Sequence, residues 1–252
     1  SRPNSYVRPA ALISPSHCVH VSGGSAFPCY GRGVNELPLF PLDVVVFPGM
    51  TVPLHVHEER YKQLVREVLA QEQEPKRFII VYEQDGAAIR DTAVRVARYG
   101  TLVHVLTAEE NPDGTFDLLV HGQERYEVKV QRVVEVAQPG GATRPLAYAS
   151  EQPAPLGRDD PNDEAIAAWD ALDTFRAYAG RRFHEGAGAE IDKHLPEDPF
   201  YQASFIAANI VVPGAAKQSL LEAGSLRERF DLARALMLER MERRPRTRRG
   251  RA

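Results

Sequence analysis

Residues 36–50 read ELPLFPLDVVVFPGM, two short apolar runs that are interrupted by prolines and closed by a Pro-Gly pair. Proline cannot donate a hydrogen bond to a strand ladder, so this pattern indicates strand edges and tight corners. An extended pattern resumes at 52–56. At 58–70 the apolar residues change to helical spacing, which predicts one amphipathic helix. Its apolar face consists of Tyr61, Leu64, Val65, Val68 and Leu69.

Strand patterns come first along the rest of the chain, and helix patterns follow. Strands are predicted at 77–83, 99–106, 115–121, 125–136 and 146–149. Between two of them, the sequence NPDG at 111–114 predicts a hairpin turn, because proline fixes φ and glycine permits a positive φ. Helices are predicted at 162–183, 200–212, 216–222 and 226–243. This segregation favours an α+β fold over a doubly wound α/β sheet.

Two of the predicted helices carry large apolar residues at the spacing of a buried face. In the helix at 162–183 these residues are Ile166, Trp169, Leu172 and Phe175. In the helix at 226–243 the residues expected to point inward are Phe230, Leu232, Leu236, Met237 and Met241. The second helix also opens with a capping box, formed by Ser225 and Glu228.

Charge is distributed unevenly along the 252 residues, whose formal net charge is -3. Residues 1–35 contain three arginines and no acid, and residues 240–252 contain seven arginines and one acid. The body between them therefore carries a net charge of -12. An acidic body is a poor platform for nucleic acid, since neutralisation of phosphates supplies most non-specific affinity.

Composition also excludes two classes of protein. Two cysteines, Cys18 and Cys29, are too few for a disulfide-stapled secreted scaffold. No apolar run is long enough to span a bilayer. We therefore expect a soluble protein of the cytoplasm, without a membrane partner.

The first 35 residues are rich in Ser, Gly and Pro and are expected to be a disordered extension. A transit peptide is an alternative, although no amphipathic helix is evident. A metal site is another, but its candidate ligands match no common zinc spacing. These ligands are His17, Cys18, His20 and Cys29.

No catalytic motif is present in the sequence. The phosphate-binding loop, the dinucleotide fingerprint and the G-x-S-x-G nucleophile elbow are all missing. His55, His57 and Glu58 could hold a metal in a hydrolase, but polar strand ends explain them more simply. The acid pairs at 159–160 and 197–198 are typical of solvated helix starts. We therefore expect no enzyme activity, no cofactor and no metal.

Read in order, several motifs resemble the N-terminal substrate-binding domain of the Lon protease family. The opening LPLFPL at 37–42 and VVFPG at 45–49 are followed by Pro53-Leu54 and by Glu58, Arg60 and Tyr61. Gly100-Thr101-Leu102, Pro112-Asp113-Gly114, Gly122, Arg125 and KQSLLE at 217–222 continue the series. Two departures stand out: His57 replaces an expected aromatic residue, and the sequence stops before the nucleotide-hydrolysing and peptidase modules.

The resemblance implies a stand-alone module, a PUA-like β-barrel followed by a C-terminal α-helical bundle. The implied boundaries are 36–150 for the barrel, 151–161 for a linker, 162–243 for the bundle and 244–252 for a basic disordered tail. The signature residues are expected to be structural, with Arg60 pairing with a nearby carboxylate. They are Pro38, Pro41, Pro48, Gly49, Glu58, Arg60, Tyr61, Gly100, Gly122 and Arg125.

The function that the resemblance implies is non-catalytic binding of unfolded or extended polypeptides, as an adaptor or regulator in protein quality control. A protease or a chaperone is a further candidate partner. An apolar groove or an open strand edge could accept such a polypeptide. Candidate lining residues are Phe47, Met50, Tyr82 and Phe116, for which core packing is the simpler explanation. The alternative is a PUA-like nucleic-acid-binding protein that uses the arginine-rich terminus.

Overall fold

A computed structural model describes residues 36–83, 96–184 and 186–242. The chain divides into two compact units, Ser1–Pro155 with Pro213–Glu222 and Leu156–Val212 with Ala223–Ala252. The expectations for 1–35, including its candidate metal ligands, and for 244–252 lie outside the described residues.

Seven strands and six helices follow one another along the described chain. The strands are β1 (Glu36–Leu42), β2 (Thr51–Val56), β3 (Arg77–Glu83), β4 (Val96–Glu110), β5 (Phe116–Glu127), β6 (Val130–Ala137) and β7 (Thr143–Ser150). The helices are α1 (Glu59–Ala70), α2 (Pro161–Arg182), α3 (Ala187–Asp192), α4 (Pro199–Asn209), α5 (Gly214–Glu222) and α6 (Leu226–Glu242). The predicted α+β class is confirmed, with strands first and α1 near the start.

All seven strands form one mixed sheet, in the order β2-β5-β4-β3-β1-β7-β6. Only β1 and β3 run parallel, and the other neighbouring strands are antiparallel. Within the described residues the edge strands β2 and β6 do not pair with each other. The sheet is therefore open, and the closed barrel expected from the sequence is not confirmed. The continuous strand predicted at 125–136 is two strands, β5 and β6, with a break at 128–129.

Helix α1 packs on the main core of the first unit. Its predicted apolar face is confirmed, because Tyr61, Leu64, Val65 and Val68 are all buried. On one side, the hydroxyl of Tyr148 on β7 donates to Glu67 at 2.5 Å. On the other, the guanidinium of Arg66 lies 5.5 Å from the centre of the Phe116 ring on β5. The helix thus spans the space between the two sides of the curled sheet.

The Pro48-Gly49 turn is held against β5 by Gly122. The backbone N–H of Gly122 donates to Met50 O at 2.8 Å, and its carbonyl accepts from Gly49 N at 2.8 Å. A Cβ atom at position 122 would lie 2.5 Å from the backbone carbonyl oxygen of Phe47. Only glycine permits so close an approach, which explains the residue type at this position.

Arg125 is buried and joins β5 to two later stretches of the first unit. Its guanidinium donates to the carbonyls of Ala154 at 2.6 Å, Pro155 at 3.1 Å and Leu221 on α5 at 2.9 Å. It also lies 4.5 Å from the centre of the Tyr99 ring. Helix α5 is held further by Gln218, whose amide donates to Tyr99 O at 3.1 Å.

The second unit is built from α2, α3, α4 and α6. The predicted buried face of α2 is half wrong, because Leu172 and Phe175 are buried but Ile166 and Trp169 are largely exposed. The buried face is instead rich in alanine, which lets neighbouring helices approach closely. Its buried alanines are Ala167, Ala168, Ala171 and Ala179.

Helix α6 follows its prediction more closely. Phe230 and Met237 are buried, whereas Leu232, Leu236 and Met241 are only partly buried. The capping box is present, since Ser225 Oγ accepts from Glu228 N at 3.2 Å. The carboxylate of Glu228 accepts from Gly224 N at 2.6 Å.

The hairpin turn predicted at 111–114 is also confirmed. Gly114 has a φ of 77°, and its N–H donates to Asn111 O at 2.8 Å.

The close approach at Gly122 makes a testable prediction. We expect Gly122→Ala to lower the free energy of unfolding by about 3 kcal/mol, because the methyl group collides with backbone atoms. Gly180→Ala is the control: apart from its chain neighbours and the backbone of its own helix, no atom lies within 4 Å of a Cβ at this position. It should be neutral or stabilise by about 0.5 kcal/mol. Urea unfolding of both variants measures the difference, and equal effects would contradict the proposed steric role.

The network of Arg125 makes a second prediction. Arg125→Lys should destabilise the protein by about 2–3 kcal/mol, because an ammonium group cannot serve three carbonyls in the geometry of a planar fork. The matched control is Arg98→Lys, since the Arg98 side chain is 69% exposed and pairs with Glu127 at 3.1 Å. That change should stay within about 0.5 kcal/mol. A tolerant Arg125 in urea unfolding would refute the role given to its guanidinium.

Candidate polypeptide-binding edge

The four residues predicted to line a groove do not come together on the surface. Phe47 and Phe116 are buried in the first unit. Met50 is partly buried, and its sulfur accepts from Phe47 N at 3.1 Å. The partly buried ring of Tyr82 lies against Gly214, at the start of α5. In this conformation Phe47 and Phe116 offer no surface to a bound polypeptide.

Several signature residues make contacts within the first unit. Arg60 pairs with Glu58, at 3.0 Å between Nε and Oε2, as the sequence predicted. It also donates to Pro145 O at 3.3 Å. A Cβ at Gly100 would lie 2.6 Å from the carbonyl oxygen of Ile80 on the adjacent strand. Pro38 and Pro41 lie within β1.

The candidate metal ligands at the end of β2 are engaged with other groups. His55 Nδ1 lies 2.7 Å from Asp117 Oδ1 on β5, and the rings of His55 and His57 stack 6.2 Å apart. Glu58 is held by Arg60 and lies 3.5 Å from Arg144. Across residues 36–83, 96–184 and 186–242, no group of three or more His, Cys, Asp and Glu side chains could hold a metal ion.

A second pair of histidines lies within a polar row that crosses the sheet. Thr51, His121, His104 and Arg77 are opposite one another on β2, β5, β4 and β3. Thr51 Oγ1 lies 3.1 Å from His121 Nδ1. Burial lowers the pKa of both histidines, and the charge of Arg77 lowers the pKa of His104 further. Both rings are therefore uncharged near neutral pH. The row is a band of polar side chains across four neighbouring strands.

Strand β6 is one of the two edge strands of the sheet, and six of its eight residues are exposed. This strand pairs with β7 alone in the described part of the chain, so its other side has no strand partner. Four of its eight residues are valine, and it contains no proline. Val133 is 40% exposed and Val130 is 37% exposed. An unpaired, valine-rich edge is a template for the addition of another strand.

Arg132 joins β6 to the strands β1 and β7. Arg132 Nε donates to Glu36 Oε2 at 2.8 Å, and this hydrogen bond raises the pKa of the guanidinium. The same guanidinium lies 3.8 Å from the centre of the Tyr148 ring on β7. Burial, reinforced by the carboxylate of Glu67, raises the pKa of the Tyr148 hydroxyl. This hydroxyl therefore stays protonated and keeps its hydrogen bond to α1.

The opposite edge strand, β2, is built differently. Its residues alternate between buried and exposed, and Pro53 in its middle has no N–H to offer to a partner strand. Asp117 on β5 lies opposite His55 of β2, and hydrogen bonds from Asn111 and His55 lower the pKa of its carboxylate. This end of the edge is thus occupied by a network of charged and polar side chains. Of the two edge strands, only β6 has an N–H group at every position.

The sequence patterns predicted neither the edge position of β6 nor the exposure of Ile166 and Trp169 on α2. Valine-rich alternation predicts a strand but does not reveal whether the strand lies at an edge. For α2 a signal was present: Asp170 and Asp173 fall on the same helical face as Ile166 and Trp169. Carboxylates on that face indicate solvent exposure, and the opposite, alanine-rich face is the buried one.

Comparison with known proteins gives one consistent family. The family model described as the ATP-dependent protease La (LON) substrate-binding domain matches residues 36–239. The Lon protease of Xanthomonas oryzae pv. oryzae is 33% identical over 202 residues, which cover 79% of this chain and 22% of the relative. The Lon protease of Escherichia coli K12 is 28% identical over 205 residues, or 80% of this chain and 24% of the relative. The chain thus spans about a quarter of the length of these relatives.

Two solved structures are similar in fold. The N-terminal domain of a Mycobacterium avium complex Lon protease superposes with a TM-score of 0.59 at 17% identity, covering 81% of this chain and 99% of that one. A Lon N-terminal domain protein from Xanthomonas campestris gives a TM-score of 0.52 at 22% identity, with 80% and 98% covered. The matched ranges agree with the motif series that starts at LPLFPL. The chain therefore belongs to the family of the Lon substrate-binding domain.

Proposed function

We propose that this chain is a non-catalytic polypeptide-binding module that acts as an adaptor or regulator in protein quality control. Its ligands are unfolded or extended polypeptides, and a protease or a chaperone is the partner to which it would deliver them. The match to a substrate-binding domain supports the binding role. The family model that matches residues 36–239 is that of a substrate-binding domain, which supports a module without catalysis.

The observation that carries the proposal is the unpaired edge of β6. An extended polypeptide can satisfy its own backbone N–H and C=O groups along such an edge, whatever its sequence. Val130 and Val133 add apolar surface beside that backbone. Recognition through the backbone suits a module that meets many unrelated unfolded chains.

The finer organisation is part of the same proposal. The resemblance to Lon supports a PUA-like description of the sheet, with its domain at 36–150, and a helical bundle at 162–243. Helix α5, which lies within that range, belongs to the first unit. In the described chain no helix has both the length and the apolar character needed to cross a bilayer. A cytoplasmic location is consistent with a role beside Lon-like proteases.

A binding experiment tests the role of the edge. We expect Val133→Lys to weaken binding of a labelled, permanently unfolded polypeptide by about fivefold or more, because an edge lysine opposes strand addition. Fluorescence anisotropy of the full chain measures the affinity. The matched control is Val211→Lys, since Val211 is 44% exposed and lies outside the sheet. This variant should bind like the unchanged protein.

The same titration distinguishes the competing function. Polypeptide binding by the edge should persist at moderate salt and in the presence of unlabelled single-stranded RNA. Displacement by RNA with a steep salt dependence would instead indicate nucleic-acid binding through the arginines. Absence of affinity for any unfolded polypeptide would overturn the proposed function, and equal loss in both lysine variants would overturn the assignment to β6.

A further inference from the structure

Helix α2 presents an apolar pair to solvent in the second unit. Trp169 is 72% exposed and Ile166 is 62% exposed, the two highest values among the large apolar residues described. They lie three residues apart, so their side chains are neighbours on one face of the helix. Exposed apolar pairs of this size mark interaction sites more often than single exposed residues do.

Two carboxylates complete this face. At 100° per residue, Ile166, Trp169, Asp170 and Asp173 fall within a sector of about 100° and along about 10 Å of the helix. Asp170 and Asp173 are exposed, and neither has an ion-pair partner among the described residues. We call these four residues the α2 face.

Three other acids near the α2 face are engaged, unlike Asp170 and Asp173. Glu164 is held by Arg158 at 2.6 Å, and Asp163 by Arg227 at 2.6 Å. Asp160 caps the start of α2 by accepting from Asn162 N at 2.9 Å. Residues 159–173 contain six acids and no base. The α2 face therefore carries two exposed carboxylates without an ion-pair partner among the described residues, and both lie within about one turn of Trp169.

The chain itself carries a segment of complementary chemistry. Residues 243–251 contain six arginines and no acid, and they follow α6 directly. Helix α6 packs along α2 within the second unit. Arginine suits the α2 face better than lysine does, because its planar guanidinium stacks on an indole ring and binds a carboxylate through two parallel hydrogen bonds.

We propose that the α2 face is a docking surface for an arginine-rich segment, and that residues 243–251 of the same chain are its occupant. A guanidinium covers the indole of Trp169, and neighbouring arginines pair with Asp170 and Asp173. About three or four residues of extended chain cover the 10 Å of this face, so only part of the segment is needed. The inference is independent of polypeptide binding at β6.

Trp169 reports on this docking directly, because it is the only tryptophan in the chain. We expect acrylamide to quench the fluorescence of the full chain about twofold less than that of a chain ending at Glu242, at low salt, since a stacked guanidinium shields the indole. At about 0.5 M salt the difference should disappear, because screening weakens exposed ion pairs. Adding the peptide of residues 243–252 to the shortened chain should restore the protection.

Matched variants separate docking from other effects of charge. In the full chain, Asp170→Asn with Asp173→Asn should abolish the protection. Glu72→Gln with Glu109→Gln removes two exposed charges from the first unit and should leave the protection intact. Circular dichroism verifies that every variant is folded. Equal quenching of the full and shortened chains would overturn the proposal, as would protection that appears only as the protein concentration rises.

Discussion

The guanidinium of Arg125 is buried and donates to backbone carbonyls on two stretches of chain that no strand ladder joins. Ala154 and Pro155 follow the last strand, and Leu221 lies 96 residues after Arg125 in α5. Because these acceptors are carbonyls, their dipoles stabilise the positive charge of the guanidinium. This arrangement keeps α5 with the sheet although the helices of the second unit intervene in sequence.

Because the sheet is open, strand pairing alone does not enclose its apolar core, and helix α1 covers the remaining side. The helix contacts β7 through Tyr148 and approaches β5 through Arg66, so its apolar face fills the space that strand pairing leaves open. The two edges can then differ. Proline and polar side chains protect β2, whereas β6 contains four valines and no proline. The openness of the fold and the accessibility of β6 therefore have the same origin.

Local patterns in the sequence predicted those elements whose signals agree with one another. Helix α1 was located correctly because one face is apolar and the other is charged, and the turn at 111–114 because its residue types fix the backbone. The face of α2 was predicted only in part, because residue size does not separate the buried Leu172 and Phe175 from the exposed Ile166 and Trp169. Strand order is set by contacts between distant residues, so neither the open sheet nor the edge position of β6 could be read from alternation. The four proposed lining residues were chosen by residue type, which does not separate a core aromatic such as Phe47 from an exposed one.

An unpaired edge carries a risk of aggregation, and β6 contains features that limit it. The register of β6 against β7 shifts between Val130 and Arg132, which interrupts the flat template that a long partner strand would require. Glu135 adds an exposed charge within the strand, and Arg132 is tied to Glu36. Pairing along this edge is therefore short and interrupted. Such an edge suits the proposed function, because continuous pairing along a flat strand would hold an unfolded chain too tightly for release.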